Sequence, residues 1–153
     1  MHAWLLELWA APAALGFALL FNVPTRALTA CGVLAILGHA SRKLVMDLTG
    51  ADIVFGTLIA ALLIGFASEW WGRRQRDVPL MYAITAAIPM VPGTYMYKAV
   101  QGLLGIAKLQ ANAAGELILI SAGVNIVKAS MIVLALAFGI AAPHLLWPKP
   151  QHH

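Results

Sequence analysis

Several residues of this chain have types and spacings that can do chemistry. The clearest stretch is Ile88-Pro89-Met90-Val91-Pro92-Gly93, followed by Thr94 and Tyr97, all inside an apolar run. A proline in a helix interior removes one hydrogen bond and pushes away the carbonyl four residues back, at about 3 kcal/mol. Pro89 thus frees the carbonyl of Thr85, and Pro92 that of Ile88. The residues before them, Ile88 and Val91, are driven toward extended geometry. One helix should end here and another begin near Thr94. A helix start presents N–H groups, here around Thr94 to Tyr97, with the positive end of the dipole behind them. Gly93 lets a ligand come close to the backbone, and the hydroxyls of Thr94 and Tyr97 add donors. The set suits a small anion or a carboxylate, the use that broken membrane helices have in secondary carriers. The plainer alternative is a proline kink that only shapes packing.

Lys128 lies near the middle of another apolar run, where an ammonium costs at least about 2.5 kcal/mol on insertion scales. Ser121, Asn125 and Lys128 are spaced to share one helix face, which should turn toward protein or a wet cavity rather than lipid. Lys128 either meets a solute there or is a structural residue, neutral or paired with Glu116 or Glu69. Glu69 and Arg73, four apart, suit an ion pair, with a proton relay as the other reading. His39 and Arg42, three apart, can face a common path, and a histidine suits a proton-coupled step. A lone histidine also serves as an ordinary hydrogen-bonding group.

Constellations for catalysis are missing from the sequence. It has no Gly-x-Ser-x-Gly, His-Glu-x-x-His or phosphate-binding loop, and its single Cys31 excludes a cysteine pair. A Ser121/Lys128 dyad lacks an evident oxyanion hole. The expectation is no enzyme, no metal and no cofactor. Cys31 reads as a small packing residue.

The elements that carry these residues are membrane helices. Of the 153 residues 61% are hydrophobic and only 10% charged, against about 25% charged in a soluble domain. The net charge of +4 is scattered in short clusters, without the basic stripe that tracks a phosphate backbone. Nucleic acid is therefore not an expected partner, and the lipid bilayer is.

A span takes about 20 apolar residues, and five apolar segments can be drawn: 4–21, 27–46, 53–71, 80–107 and 117–142. In the first, Glu7 sits beside Trp4 and Trp9, placed to reach headgroup water. It has no Lys/Arg-rich leader, so it reads as a span rather than a cleaved signal. "DLTGAD" reads as a turn, "GRRQRD" as a charged loop, "KLQANAAGE" as a polar connection, and Pro143 as the stop of the fifth segment. Thr57, Ala61, Gly65, Ser68 and Gly72 form a stripe of small residues, a helix-packing face. The fold expected is an all-α integral membrane protein, one transmembrane domain over 1–153. It has about five transmembrane helices, the fourth broken from Pro89 to Gly93. Basic residues are nearly balanced between the two sides. The Arg73/Arg74/Arg76 cluster places its loop and the C-terminus in the cytoplasm. No function is assigned to His152 and His153.

Three of these stretches recur as a set. "FNVPTRAL" (21–28) follows the first segment, "GHASR" (38–42) ends the second, and "IPMVPG" (88–93) breaks the fourth. In this order the chain resembles the threonine/serine exporter (ThrE) family over nearly its whole length. It is similar to the split small subunits, the YjjB-like halves of YjjP/YjjB-type succinate exporters, and to the C-terminal membrane half of single-chain ThrE-type exporters. The resemblance implies a bacterial inner-membrane location, outward movement of small solutes and a second, larger YjjP-like membrane subunit. Asn22, Pro24, Arg26, His39, Arg42, Pro89, Pro92, Gly93 and Tyr97 match the family pattern, and Asn125 falls at an expected polar position. Lys128 and Lys98 depart from it.

The expected function is a subunit of a small-carboxylate exporter, for a succinate-like dicarboxylate or for threonine and serine. It would work by alternating access or gated passage around the break and draw on the proton motive force. The substrate-binding candidates are Pro89, Pro92, Gly93, Thr94, Tyr97, Asn125, Lys128, Arg26 and Arg42. Arg26, Arg42 or Lys128 can give a dicarboxylate its second cationic contact. An amino acid's ammonium would instead use the carbonyls of Thr85 and Ile88. His39 and Glu69 are the proton-coupling candidates. Two other functions fit the same residues: a non-conducting scaffold for a partner transporter, and a homo-oligomeric channel.

Overall fold

The computed structural model describes residues 6–108 and 113–146. Trp4, residues 109–112 of the polar connection, and the tail with Lys149, His152 and His153 lie outside the described residues. Among those described there are six α-helices and no strand. A 3-10 turn Leu6–Trp9 leads into α1 (Ala10–Leu20), followed by α2 (Thr25–Thr49), α3 (Ile53–Gln75) and α4 (Pro79–Ala87). A second 3-10 turn, Ile88–Met90, precedes α5 (Gly93–Lys108), and α6 (Ala113–Leu146) closes the chain. Three helices are long and apolar enough to cross a membrane: α2, α3 and the Gly115–Leu146 part of α6. Glu7–Leu20 and Pro79–Met90 are apolar but shorter.

Two compact units can be told apart. One holds the chain as far as Met90 together with Ala135 onward, and the other is Val91–Leu134. In the first, α1 buries Ala10, Ala14 and Ala18, one per turn. α1 packs chiefly on α2, where Ala11 and Leu15 stand over Gly32; the buried residues of α2 include Ala27, Ala30, Ala35 and Gly38. Without large side chains the two backbones come close, the packing that membrane helices favour. The link between them explains the Phe21-Asn22-Val23-Pro24 stretch. Asn22 takes a left-handed conformation (φ +56°). Its N–H donates to the Leu19 carbonyl, and the Val23 N–H donates to the Ala18 carbonyl. This is a Schellman cap, with Asn where glycine is usual and a buried Val23 as its apolar contact. Pro24 then sits just ahead of α2, where its missing N–H costs nothing.

All five residues of the small stripe on α3 are buried. A Cβ added at Gly65 would lie 2.6 Å from the Gly139 carbonyl oxygen and 3.0 Å from the Pro143 ring. Three expectations need correction. Pro143 does not stop the last helix, which runs on to Leu146. A proline turns away the carbonyl four residues back, here Gly139, and Gly65 leaves room for that oxygen. The "DLTGAD" turn is shorter than expected: α2 continues to Thr49 and ends on Gly50 in the left-handed region (φ +65°). Likewise Arg73, Arg74 and Gln75 belong to α3, and the turn is made at Arg76 (φ +57°).

In the second unit α5 lies against the first half of α6. A Cβ at Gly102 would meet the Ala122 methyl at 2.6 Å, and one at Gly105 would touch Ile118 at 3.5 Å.

Candidate functional site

The stretch from Pro89 to Gly93 is built as follows. Thr85, buried one turn before Pro89, turns its hydroxyl back onto its own helix, donating to the Met81 carbonyl at 2.9 Å. The same hydroxyl reaches Cys31 Sγ at 3.1 Å, which fixes α4 against α2. Beyond the 3-10 turn, the Gly93 N–H donates to the Val91 carbonyl at 2.8 Å and the Met96 N–H to the Pro92 carbonyl at 3.0 Å. Met96, expected to offer a donor, is therefore committed, and the first-turn amides of Thr94 and Tyr95 remain. Gly93 is exposed, and a Cβ there would meet nothing within 4 Å. Pro89 is half-buried, Pro92 buried and Thr94 exposed. Tyr97 is exposed, its hydroxyl accepting from Gln101 Nε2 at 2.8 Å.

On α6 the expected polar face is only partly turned outward. Asn125 donates back to the Ser121 carbonyl of its own helix at 2.8 Å. Lys128 is half-buried, with its ammonium 6.0 Å from the centre of the Tyr95 ring, at the limit of a cation–π contact. Lys128 thus shares the second unit with Gly93, Thr94 and Tyr97, and Tyr95 is the residue the sequence reading missed.

Three ionic clusters occupy the first unit. In one, His39 Nδ1 lies 3.0 Å from Glu7 Oε2 and 3.4 Å from Arg42 Nη2. Lys43 Nζ is 3.7 Å from the other Glu7 oxygen. The side chains of Glu7 and His39 are 18% and 16% exposed. They border a cavity of about 200 Å³ that Arg42, Lys43, Met46, Asp47 and Ile53 also line. Glu7, expected to reach headgroup water, is drawn onto α2 by two groups, His39 and Lys43. The signal was available: a four-residue link makes α1 and α2 antiparallel, so a carboxylate at the start of one helix meets the basic end of the next.

In the second cluster Glu69, 2% exposed, receives Arg73 Nε at 2.8 Å. His144 Nδ1 stands 3.0 Å from its other oxygen, Oε2. That contact is close but off the hydrogen-bonding line, and Oε2 is buried with no hydrogen-bond partner among the described residues. His144 was missed because Pro143 was read as the end of the helix. The third cluster accounts for Arg26, which forms an ion pair with Asp77. The Tyr82 hydroxyl donates to the same carboxylate at 2.8 Å. Tyr82 and Arg26 hold the Asp77 carboxyl below the usual carboxylate range, against the opposing effect of its partial desolvation.

A family model, that of the threonine/serine exporter ThrE, matches residues 7–146. The chain belongs to the threonine/serine exporter family. The match takes in the Pro89–Gly93 stretch and all three ionic clusters. Members of this family are membrane transporters rather than enzymes, and the long apolar helices of this exporter-family chain accord with that role. No solved structure matches it.

Proposed function

We propose that this chain is one subunit of a secondary exporter for small carboxylates, a succinate-like dicarboxylate or threonine and serine. It resides as a single transmembrane domain in the bacterial inner membrane and works beside a larger, YjjP-like membrane subunit. Five segments enter the bilayer, the fourth as two half-helices on either side of Pro89–Gly93. The observation that carries the reading is the open backbone at Gly93. A helix N-terminus in an otherwise apolar stretch, with nothing over it, is a seat for a carboxylate. Thr94 and Tyr97 stand on its first turns, with Asn125 and Lys128 supplying polar and cationic groups in the same unit. In the first unit Arg42 borders a cavity, and transport is coupled to protons through His39 or Glu69. Arg26, tied to Asp77, serves as a tether between helices rather than a solute contact.

The test is efflux of labelled succinate and labelled threonine from cells expressing this chain with and without the larger subunit. Efflux of one solute only when both are present is the expected result. Gly93→Leu is expected to abolish it in a chain that still inserts, and Pro92→Ala to impair it. Unchanged efflux in both variants would remove the break from the solute path.

A further inference from the structure

One end of the first unit carries a groove that the exporter reading does not use. Phe21, Met81, Ile84 and Thr85 line a cavity of about 270 Å³ between the end of α1 and α4. Phe21 and Ile84 are exposed beside it. Thr85 is its one polar lining residue, and the Thr85 hydroxyl is spent on the Met81 carbonyl. The groove thus offers hydrocarbon and little to a polar occupant, which would lose its hydrogen bonds to water there. Phe17, also exposed, lies 6.3 Å from Phe21 between ring centres and carries the apolar wall on along α1.

The rim is charged. Arg26, on the first turn of α2, is tied to Asp77, and Tyr82, next to Met81, donates to the same carboxylate. The Asp77 side chain is 9% exposed and that of Arg26 66%. A guanidinium carries several donors in a fork, so Arg26 has donors to offer outward while the carboxylate behind it is covered. Among the described residues the carboxylates at this end are Asp77 and Glu69, matched by Arg26 and Arg73. Arg74 and Arg76, both exposed, therefore set the sign of the surface. Arg74 lies 4.2 Å over the Trp70 ring, and Trp70 meets Trp71 edge-on. Tryptophans settle at the headgroup level of a bilayer, so these arginines stand among lipid phosphates. Pro79 packs against Gly72 near that level, and Ile84, five residues further along α4, is about 7.5 Å deeper, among acyl chains.

We propose that this end of the chain binds a phospholipid of net negative headgroup: an acyl chain lies in the groove against Phe21, Met81 and Ile84, and the phosphate sits on Arg26. Arg74 and Arg76 give the preference for negative over zwitterionic headgroups, because basic residues at the membrane surface attract anionic lipid. The lipid spans the α1–α2 and α3–α4 links that the Arg26–Asp77 pair already joins. The site goes beyond the exporter reading and stands whichever solute is carried.

Native mass spectrometry of the purified full chain in detergent tests it, with phosphatidylglycerol and phosphatidylethanolamine of identical acyl chains as probes. One phosphatidylglycerol should be retained in preference to phosphatidylethanolamine. Arg26→Gln should weaken its retention about fivefold, and Ile84→Trp, which fills the groove, should abolish it. Asp77→Asn breaks the same ion pair but keeps the guanidinium, so it should retain the lipid undiminished. Equal retention of the two lipids overturns the proposal. Equal losses in Arg26→Gln and Asp77→Asn do so too, since the effect would then come from the broken tether. If Ile84→Trp leaves the phosphatidylglycerol count unchanged and instead prevents co-purification with the larger subunit, the groove belongs to a protein partner and the lipid site falls.

Discussion

Asp77 and Glu69 are both carboxylates at the ends of helices, yet their surroundings set different tests. The folded state holds the Asp77 proton more weakly than its ordinary value of 3.8 implies. The unfolded chain therefore takes up that proton first as the pH falls. The contribution of Asp77 is complete above that value and is lost as the pH drops through the lower folded one. Thermal unfolding in detergent from pH 6 to pH 3 should show acid loss of stability that is shallower in Asp77→Asn. Glu69 is 2% exposed, so removing Arg73 strands a buried charge. Arg73→Ala is expected to cost about 3 kcal/mol, read by chemical unfolding, and the double variant with Glu69→Gln should recover most of it. If the single and double variants unfold alike, the pair does not hold this end of α3. Few of these partnerships were legible in the sequence. Glu69 with Arg73, four apart on one helix, and His39 with Arg42, three apart, followed from spacing. Glu7 with His39, Arg26 with Asp77 and Glu69 with His144 depend on which helix ends meet in space.

Helices were far easier to read than their ends. The apolar runs placed all the main segments, and the small stripe on α3 named its packing face. Stops were misjudged where backbone chemistry is local. Arg76 makes a left-handed cap without glycine, and Pro143 stays helical because its neighbour tolerates a displaced carbonyl. That neighbour supplies a sharp test. Alanine in place of glycine normally favours a helix by about 1 kcal/mol. At Gly65 the added methyl would sit 2.6 Å from the Gly139 oxygen, and overpacking of this kind costs about 1–3 kcal/mol. Gly65→Ala should therefore lower the unfolding temperature in detergent, and a rise would mean that α3 and α6 are not pressed together there. Two prolines and a glycine marked the 3-10 turn Ile88–Met90 and the start of α5 at Gly93; the capture of the Met96 amide by the Pro92 carbonyl was not legible, since it depends on how tightly the turn winds.

For the protein as an assembly, the membrane question is one of company. Much of α6 is uncovered by its own chain: only 17% of its most apolar window is buried. Leu117, Leu119, Ile120 and Val127 stand exposed along it. Lipid or another subunit must cover them. A homo-oligomeric channel predicts ion conductance across a planar bilayer from this chain alone. The two-subunit exporter predicts none, and electrical recording separates them.

The length of α6 has a consequence of its own. At 34 residues it extends about 51 Å, whereas the oily interior of a bilayer is about 30 Å deep. It must lean or protrude, and the degree of lean is set by the thickness of the surrounding lipid. The first part of α6 belongs to one packing unit and its last part to the other. Acyl-chain length is thereby a mechanical input to both, and the lipid in which the exporter is assayed becomes one of its reagents.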